Sequence, residues 1–354
     1  MGPTRTLPGR AYTDPARLDR EIEHVLRPSW HCVGRADELA DPGDHLAITI
    51  LDEPVALVRG DDGELRALSN ICRHRGMPVV TGAGTAAGVF SCPYHAWSYG
   101  LDGVLRTAPF TDPEAVHDCR LPEWPLHVHD GFVYVAVTED PVPFPSLPVL
   151  DAELMPFNPA DMRFAHVETD VWACNWKALV ENFMEGSHLS FVHRTTLHPL
   201  TPSRLTRKGP SDDGFTSYYS GFPDGVRSST PGEPELTDEQ RQRSFLFQRF
   251  PTQVACQNPT FLATFLVLPL TVDETAVRWT VSAFRDTEPA LIDSTIELWR
   301  EINAEDRAVL EQLQRNLAAP SAQAYAGPLA DDDREGTIAD FHRYLQRQDT
   351  AHHS

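Results

Sequence analysis

Two segments, NICRHRGMP at residues 70–78 and SCPYHAWSYG at residues 91–100, decide the fold of the first half of this 354-residue chain. Each segment contains one cysteine and one histidine in a Gly- or Pro-containing loop between short β-rich runs. Together the loops offer two thiolates and two imidazoles, which make a complete ligand set for one metal centre. The four residues are Cys72, His74, Cys92 and His95.

Two kinds of metal centre use such a ligand set. Zinc binds two cysteines and two histidines, but its common sites take both cysteines from one element and both histidines from another. Here each loop supplies one of each, which suits a 2Fe-2S cluster with one iron bound by the cysteines and the other by the histidines. Histidine ligation raises the reduction potential above that of a plant-type ferredoxin, so the predicted centre passes single electrons onward.

The spacing C-x-H-x17-C-x-x-H, continued by YHAWSYGLDG at residues 94–103, resembles the Rieske domain of Rieske non-haem iron oxygenases. The resemblance covers residues 30 to 137 and implies that the two cysteines and two histidines bind the cluster. It further implies that Arg73, Arg75 and Trp97 shield the cluster.

The pattern of β-rich runs and prolines indicates how the chain is divided. Short runs separated by turns indicate an all-β first half, and six prolines at residues 139–160 mark its end. Further strand-like runs and a helix predicted from about Pro289 to Ala318 indicate an α+β second half. By the resemblance, this half is an antiparallel-sheet helix-grip (START-like) catalytic domain. The predicted divisions are an N-terminal arm (1–29), a Rieske domain (30–140), a Pro-rich linker (141–160) and a mononuclear iron catalytic domain (161–354).

Part of the second half has no clear pattern. Residues 201–243 are rich in Ser, Thr, Gly, Pro and charge, which predicts a long loop or lid with one strand pair around FTSYYSGF. Before it, NWKALVENFMEGSHLSFV at residues 175–192 has apolar spacing compatible with a helix.

That predicted helix carries a second group of chemically active side chains. Glu185 and His188 are three residues apart and share one helix face. His188 and His193 are five apart, so they converge on one ion only if the helix distorts or ends between them. Two histidines near a helix end are more often structural residues than metal ligands, and the spacing alone leaves this open.

A carboxylate on the predicted C-terminal helix is a candidate third ligand. Asp306 falls within a stripe of apolar residues at steps of three and four. A buried carboxylate needs a cation or a metal, so an ion pair with Arg249 or Arg278 is the alternative. The apolar members of the stripe are Ile296, Trp299, Ile302, Val309, Leu310 and Leu313.

Two imidazoles and one carboxylate on an iron leave positions for O2 and water. The pattern E-N-F-x-E-x-x-H-x4-H at residues 181–193 resembles the catalytic domain of the same oxygenases, and the segment around Asp306 resembles the one with their third ligand. The resemblance implies that His188, His193 and Asp306 bind mononuclear Fe(II), with Asn182 nearby. Most of the family has Asp in place of Glu185, bridging the first iron-ligating His to a cluster His of the neighbouring subunit. The Glu resembles the subset that oxidises choline, betaine and carnitine.

The reaction implied by the resemblance converts substrate, O2, two electrons and two protons into hydroxylated product and water. A separate NAD(P)H-dependent flavin/iron–sulfur reductase, with or without a ferredoxin, would supply electrons, because the chain has no G-x-G-x-x-G fingerprint. The resemblance also implies a head-to-tail homotrimer. Hydroxylation next to a quaternary nitrogen would give N-dealkylation. The alternatives are monooxygenation or demethylation of an aromatic or secondary metabolite, and a non-catalytic Rieske electron carrier. The strands predicted to floor the substrate pocket carry five phenylalanines, and for any one of them ordinary core packing is the favoured alternative to lining the pocket: Phe245, Phe247, Phe250, Phe261 and Phe265.

Composition narrows the partners and the compartment. Apolar residues make up 41% and charged residues 23% of the chain, as in folded globular proteins. The net charge of −21 disfavours binding to nucleic acid and to anionic membranes. The most apolar stretch, residues 261–270, is too short to span a bilayer. Scattered cysteines and the lack of an export signal predict a cytoplasmic protein.

Overall fold

The structure is a computed structural model that describes residues 5–226 and 236–351. By its internal contacts the chain forms two compact units, one of residues 27–144 and one that joins residues 1–26 to residues 145–354. We call the first the β unit and the second the sheet–helix unit. Most of the predicted N-terminal arm therefore lies in the same unit as the C-terminal half, and the boundaries predicted from the sequence stay predictions.

The β unit is built from short antiparallel strands. They are β1 (His31–Arg35), β2 (Asp44–Ile50), β3 (Glu53–Arg59), β4 (Leu65–Ser69), β5 (Ala83–Thr85), β6 (Val89–Ser91), β7 (Ser98–Gly100), β8 (Leu105–Thr107), β9 (Glu123–Trp124), β10 (Leu126–His129) and β11 (Phe132–Val135). Three sheets form, in the orders β5-β2-β3-β4-β9, β1-β11-β10 and β6-β7-β8. The predicted all-β character of the first half is confirmed.

The sheet–helix unit is built around one antiparallel sheet. Its strands are β12 (Arg163–Trp172), β13 (Thr206–Lys208), β14 (Phe215–Gly221), β15 (Arg243–Arg249), β16 (Gln253–Gln257), β17 (Phe261–Pro269) and β18 (Thr275–Ala283). Its helices are α1 (Arg10–Thr13), α2 (Pro15–Glu21), α3 (Pro148–Leu154), α4 (Trp176–Phe183), α5 (Asp238–Arg241), α6 (Pro289–Leu317) and α7 (Asp332–Ala351). The seven strands follow the order β12-β18-β17-β16-β15-β14-β13.

Aromatic side chains pack helices α4 and α6 against one face of this sheet. The ring of Phe265 on β17 lies 5.0 Å from that of Phe183 on α4 and 5.5 Å from that of Trp299 on α6. The strand pairs are all antiparallel, and α6 matches the predicted C-terminal helix closely. The α+β class is therefore confirmed. No helix in the described ranges has both the length and the apolar sequence that crossing a bilayer requires.

The strand pair predicted around FTSYYSGF is present, and this segment forms one of its two strands. This strand, β14, pairs with β13 on one side and with β15 on the other. The partner strand is supplied by TRK at residues 206–208, which is too short and too polar to show a strand pattern. Residues 227–235 of the predicted lid lie outside the described residues.

The helix predicted over residues 175–192 is shorter in the structure. Helix α4 ends at Phe183, and a 3-10 turn follows at His188–Ser190. A side chain at Gly186 would place its Cβ 2.2 Å from Oγ1 of Thr206, so this residue packs directly against β13. Gly186 lies beyond the end of the helix, and Glu185 and His188 share a turn rather than a helix face.

The apolar stripe predicted on α6 changes direction after Asp306. Ile296, Trp299 and Ile302 are buried as predicted, but Val309 and Leu313 are each 41% exposed in this chain. The buried side of α6 continues through Leu310 and Gln314 instead. An α-helix has 3.6 residues per turn. A stripe of residues that does not keep this average spacing therefore moves gradually around the helix over several turns.

A buried polar cluster joins the chain's N-terminal segment to α4 and α7. The Tyr12 hydroxyl donates to Glu181 at 2.8 Å, and Nε2 of His342 lies 2.9 Å from the same carboxylate. Nζ of Lys177 donates to Glu21 at 2.6 Å, with both side chains fully buried. These contacts hold the first and last helices of the unit against the helix that leads into Glu185 and His188.

Replacement of Lys177 by methionine is expected to lower the free energy of unfolding by about 3 kcal/mol, because it leaves the Glu21 carboxylate buried with only Arg17 as an ionic partner. Urea denaturation followed by circular dichroism measures the change. The double variant with Glu21→Gln should recover part of the loss. Replacement of the exposed Arg66, which pairs with Asp62, is the control and should change stability little. Equal stability of the Lys177→Met variant and the wild type would contradict a structural role for the pair.

Candidate metal centres

The two Cys-His loops of the β unit each contain a backbone turn with the same pattern of hydrogen bonds. In the first, the Cys72 N–H donates to Met77 O and the Gly76 N–H donates to Cys72 O, both at 2.9 Å. In the second, the Cys92 N–H donates to Trp97 O at 2.8 Å, and the Ala96 N–H donates to Cys92 O at 3.0 Å. Gly76 and Ala96 occupy the same position of the turn and both have a left-handed φ, 79° and 57°.

In each loop the cysteine is buried and the histidine is exposed. Cys72 and Cys92 are free cysteines, each 3% exposed, and belong to one apolar core cluster. His74 and His95 are exposed, and their ring centroids lie 4.6 Å apart. Two buried thiols beneath two adjacent imidazoles fit a cluster with cysteines on its inner iron and histidines on its outer iron. The structure thus brings all four predicted residues together.

Trp97 and Tyr99 pack around these ligands. The Trp97 ring stacks on His74 at 4.8 Å, whereas Arg73 and Arg75 are exposed on the loop, and their shielding role stays a prediction. The Tyr99 hydroxyl accepts from the Arg73 N–H at 3.0 Å and lies 3.4 Å from Sγ of Cys72. Burial raises the pKa of Tyr99, so it keeps its proton and can donate to the sulfur. Sequence analysis missed Tyr99, although it lies within the quoted motif.

The second predicted group converges in the sheet–helix unit. His188, His193 and Asp306 each offer one ligand atom, and these atoms lie within 4.8 Å of one another. Oδ1 of Asp306 is 3.1 Å from Nε2 of His193 and 3.7 Å from Nε2 of His188. Arg249, one of the two alternative partners for the aspartate, instead has its guanidinium 3.7 Å from Asp151.

The donor set of this triad fits a divalent metal. Nε2 of His193 and Oδ1 of Asp306 are 3.1 Å apart but not in hydrogen-bonding geometry, and both are buried without a hydrogen-bond partner in the described part of the chain. Burial would lower the pKa of His188, but the carboxylates of Glu185 and Asp306 more than offset it and raise the value. The site therefore favours a positive charge between these groups, and a metal that replaces the proton satisfies the two orphaned atoms.

Each histidine of the triad is held through its other ring nitrogen by a carboxylate. Nδ1 of His188 lies 2.5 Å from Oε1 of Glu185, whose other oxygen accepts from the His188 N–H at 3.2 Å. Nδ1 of His193 lies 2.7 Å from Oε2 of Glu305, which also accepts from the Thr196 hydroxyl at 2.6 Å. Such contacts fix the tautomer and aim Nε2 at the metal.

Glu305 is a positioning residue that the sequence analysis did not identify. Its only signal was its place directly before Asp306, and adjacent helix residues ordinarily point in different directions. Asn182, in contrast, was identified and lies half-buried in the last turn of α4. Its role beside the metal stays a prediction.

Replacement of Glu305 by glutamine is expected to lower the affinity of the triad for iron about tenfold, because His193 loses its charged partner. Iron titration of the metal-depleted protein, followed by counting of iron per chain, measures this. Glu301→Gln is the matched control, since Glu301 lies one turn earlier on α6 and is exposed. Equal iron affinity in the two variants would contradict the positioning role.

A cavity of about 220 Å³ adjoins the triad within the sheet–helix unit. Leu189, next to His188 in the chain, and Ile302, one turn before Asp306 on α6, both line it. Tyr218 lines it too, and burial together with the carboxylates of Glu185 and Asp306 raises the pKa of this tyrosine. Four aromatic residues contribute to the wall: Tyr218, Phe222, Phe261 and Trp299.

The five phenylalanines on the predicted pocket strands divide between the cavity wall and the core, and core packing was the favoured alternative for each of them. Of the five residues, Phe261 lines the cavity. Phe245 and Phe247 stack on each other at 5.7 Å, on the opposite face of β15 from the cavity-lining Leu246. Phe250 instead stacks on Tyr344 of α7 at 4.6 Å. Side chains alternate between the two faces of a strand. A prediction that assigns the wrong face to one residue of a strand therefore assigns the wrong face to all of them, and the predicted lining residues are then the ones that point away from the cavity.

Comparisons with known proteins match both units. Residues 159–350 match the family described as "Ring hydroxylating alpha subunit (catalytic domain)", and residues 29–125 match the "Rieske [2Fe-2S] domain". The carnitine monooxygenase oxygenase subunit of Escherichia coli (strain K12) is 28% identical over 355 residues, covering 96% of this chain and 92% of that protein. The glycine betaine monooxygenase oxygenase subunit of Chromohalobacter salexigens is 32% identical over 200 residues, covering 55% of this chain and 44% of that protein.

Solved structures have the same fold. The quaternary ammonium Rieske monooxygenase CntA in complex with L-carnitine superimposes with a TM-score of 0.80 at 22% identity, covering 98% of this chain and 96% of that chain. Naphthalene 1,2-dioxygenase from Rhodococcus sp. bound to indole gives a TM-score of 0.82 at 20% identity, covering 97% of this chain and 94% of that chain. At these identities the likeness concerns the fold alone.

Proposed function

Because the chain belongs to the ring-hydroxylating alpha-subunit family and contains a Rieske domain, we propose that it N-demethylates a methylated ammonium compound. The protein is an O2-dependent oxidoreductase, the terminal component of a Rieske non-haem iron oxygenase. Its cofactors are a 2Fe-2S cluster and a mononuclear iron, and a separate reductase supplies its electrons.

The observation that carries the proposed substrate is the aromatic cavity beside the triad. A methylated ammonium ion is attracted to the faces of aromatic rings, and four aromatic residues line this cavity. The names of the carnitine and glycine betaine relatives support the same class of substrate. Glu185 supports it as well, through its resemblance to the subset with Glu at this position.

The proposed ligands divide the chemistry between the two units. Cys72, His74, Cys92 and His95 hold the cluster, and His188, His193 and Asp306 hold the iron. When bound, the cluster supplies single electrons and the iron activates O2. Glu185 and Glu305 keep the Nδ1 protons of the two histidines, so that both Nε2 atoms remain available to the metal. The cavity wall holds the N-methyl group beside the triad and excludes water.

The proposed reaction balances with one O2 and two electrons. An N-methyl C–H bond is hydroxylated while two electrons and two protons reduce the second oxygen atom to water. The resulting carbinolamine loses its C–N bond to give the demethylated amine, formaldehyde and a proton.

The proposed function also requires an electron donor and a subunit arrangement. We propose an NAD(P)H-dependent flavin/iron–sulfur reductase as the electron source and a head-to-tail homotrimer as the assembly, in which Glu185 connects His188 to a cluster histidine of the next subunit. Inter-subunit electron transfer has been described for a quaternary ammonium Rieske monooxygenase of the same fold, which supports this arrangement. The cytoplasmic location stays a prediction.

The substrate class is tested by mixing anaerobically reduced enzyme with candidate compounds and then with O2. A methylated ammonium substrate should speed bleaching of the cluster and yield one formaldehyde per two electrons consumed. Faster bleaching with aromatic compounds alone, giving phenols or alcohols, would favour the alternative of aromatic monooxygenation. An electron carrier without the second centre would contain about two rather than three Fe per chain.

A further inference from the structure

The cavity beside the triad has no ionic side chain among its described lining residues. Seventeen residues within 5–226 and 236–351 line it: seven are aliphatic, four are aromatic and six are neutral and polar. A substrate carboxylate would therefore enter without a cationic partner. Burial of an unpaired carboxylate costs several kcal/mol, so this lining acts against anionic groups.

The polar residues of the wall are also engaged with one another. Asn258 donates from Nδ2 to the Ser244 hydroxyl at 3.1 Å, and its Oδ1 accepts from the Thr260 hydroxyl at 2.9 Å. The hydroxyls of Thr201 and Ser220 bond to each other. These polar groups form hydrogen bonds with one another. They do not present a pair of parallel N–H donors that could bind a substrate carboxylate in a bidentate manner.

One neutral donor of the wall remains. Nε1 of Trp299 is buried without a hydrogen-bond partner in the described part of the chain. A single neutral N–H suits a hydroxyl, ether or carbonyl oxygen, but it does not compensate a full negative charge. Two carboxylates, those of Glu185 and Asp306, act electrostatically on Tyr218 of the cavity wall.

We propose that this cavity selects a methylated amine whose remaining substituents are uncharged and mainly apolar, and that it discriminates against betaines, whose carboxylate finds no cationic partner among the wall residues within 5–226 and 236–351. The inference rests on the proposed function and narrows its substrate class. It departs from the substrate in the name of the carnitine relative, which covers 96% of this chain.

The test compares γ-butyrobetaine with pentyltrimethylammonium, which has a similar length but no carboxylate. We expect both the affinity, from calorimetry, and kcat/KM, from formaldehyde release, to be about 100-fold higher for pentyltrimethylammonium. Tighter binding of γ-butyrobetaine would overturn the inference, whether or not either compound is turned over. If pentyltrimethylammonium binds more tightly but no methylated amine yields formaldehyde, the selectivity stands and the proposed function fails.

A variant pair tests the cause of the selectivity. Thr260 lines the cavity at the turn between β16 and β17, so a lysine there adds one cation to the wall. Thr260→Lys should shift the ratio of the two affinities toward γ-butyrobetaine by at least about tenfold. Thr260→Gln, which adds a long but neutral side chain, should not. The same ratio in both variants would contradict the proposed cause, and the comparison in the wild-type enzyme does not depend on either variant folding.

Discussion

Replacement of His188 by alanine is expected to remove the mononuclear iron and abolish product formation, while the visible spectrum of the cluster stays unchanged. His188 supplies one of the three converging ligand atoms, and all proposed cluster ligands lie in the other unit. Iron should fall from about three to about two per chain, with about two acid-labile sulfides retained. Visible spectroscopy, iron analysis and single-turnover product formation measure the three effects.

His198→Ala is the control for this variant. His198 lies in the same loop, is exposed and contacts Ser190 through Nδ1 at 2.9 Å. Its removal should leave about three Fe per chain and normal turnover. Turnover retained by the His188→Ala enzyme would remove His188 from the proposed ligand set.

Replacement of Glu185 by glutamine is expected to leave both metal centres bound and to slow oxidation of the cluster about 10- to 100-fold in a single turnover. The carboxylate holds Nδ1 of His188 and, in the proposed trimer, connects this histidine to a cluster ligand of the next subunit. An amide has no charge and accepts more weakly. Stopped-flow bleaching of the reduced cluster, with substrate and O2 present, gives the rate.

Glu185→Asp is the matched variant, because it keeps the charge and shortens the side chain by one carbon. We expect its rate to lie between those of the wild type and the glutamine variant. Normal oxidation of the cluster in Glu185→Gln would show that the carboxylate is not on the electron path. Loss of iron in both variants would instead give Glu185 a role in metal binding.

The sequence predicted those parts of the fold that follow from local periodicity. Alternating apolar residues predicted β2, β3 and most other strands, and steps of three and four predicted α6. The same steps singled out Asp306, because a carboxylate in an apolar stripe requires a partner. The Cys-His loops were identified because their ligand spacing is local and specific.

What the sequence did not predict depends on contacts between distant segments. Helix α4 ends at Phe183, and Gly186 just beyond it packs against Thr206, twenty residues further along the chain. Glu305 reaches His193 only because α6 crosses the loop after α4, and the contact spans 112 positions. The phase of β15, which places Leu246 rather than Phe245 at the cavity, follows from pairing across the sheet.

The discontinuous sheet–helix unit has a consequence for the order of events during synthesis. Residues 1–26 precede the β unit in the chain, yet Tyr12 and Glu21 contact residues that follow the whole β unit, and His342, much later in the chain, joins the same cluster. The β unit, residues 27–144, is continuous and emerges complete well before then. The β unit can therefore fold while the sheet–helix unit is still incomplete, because that unit needs residues synthesised after residue 144.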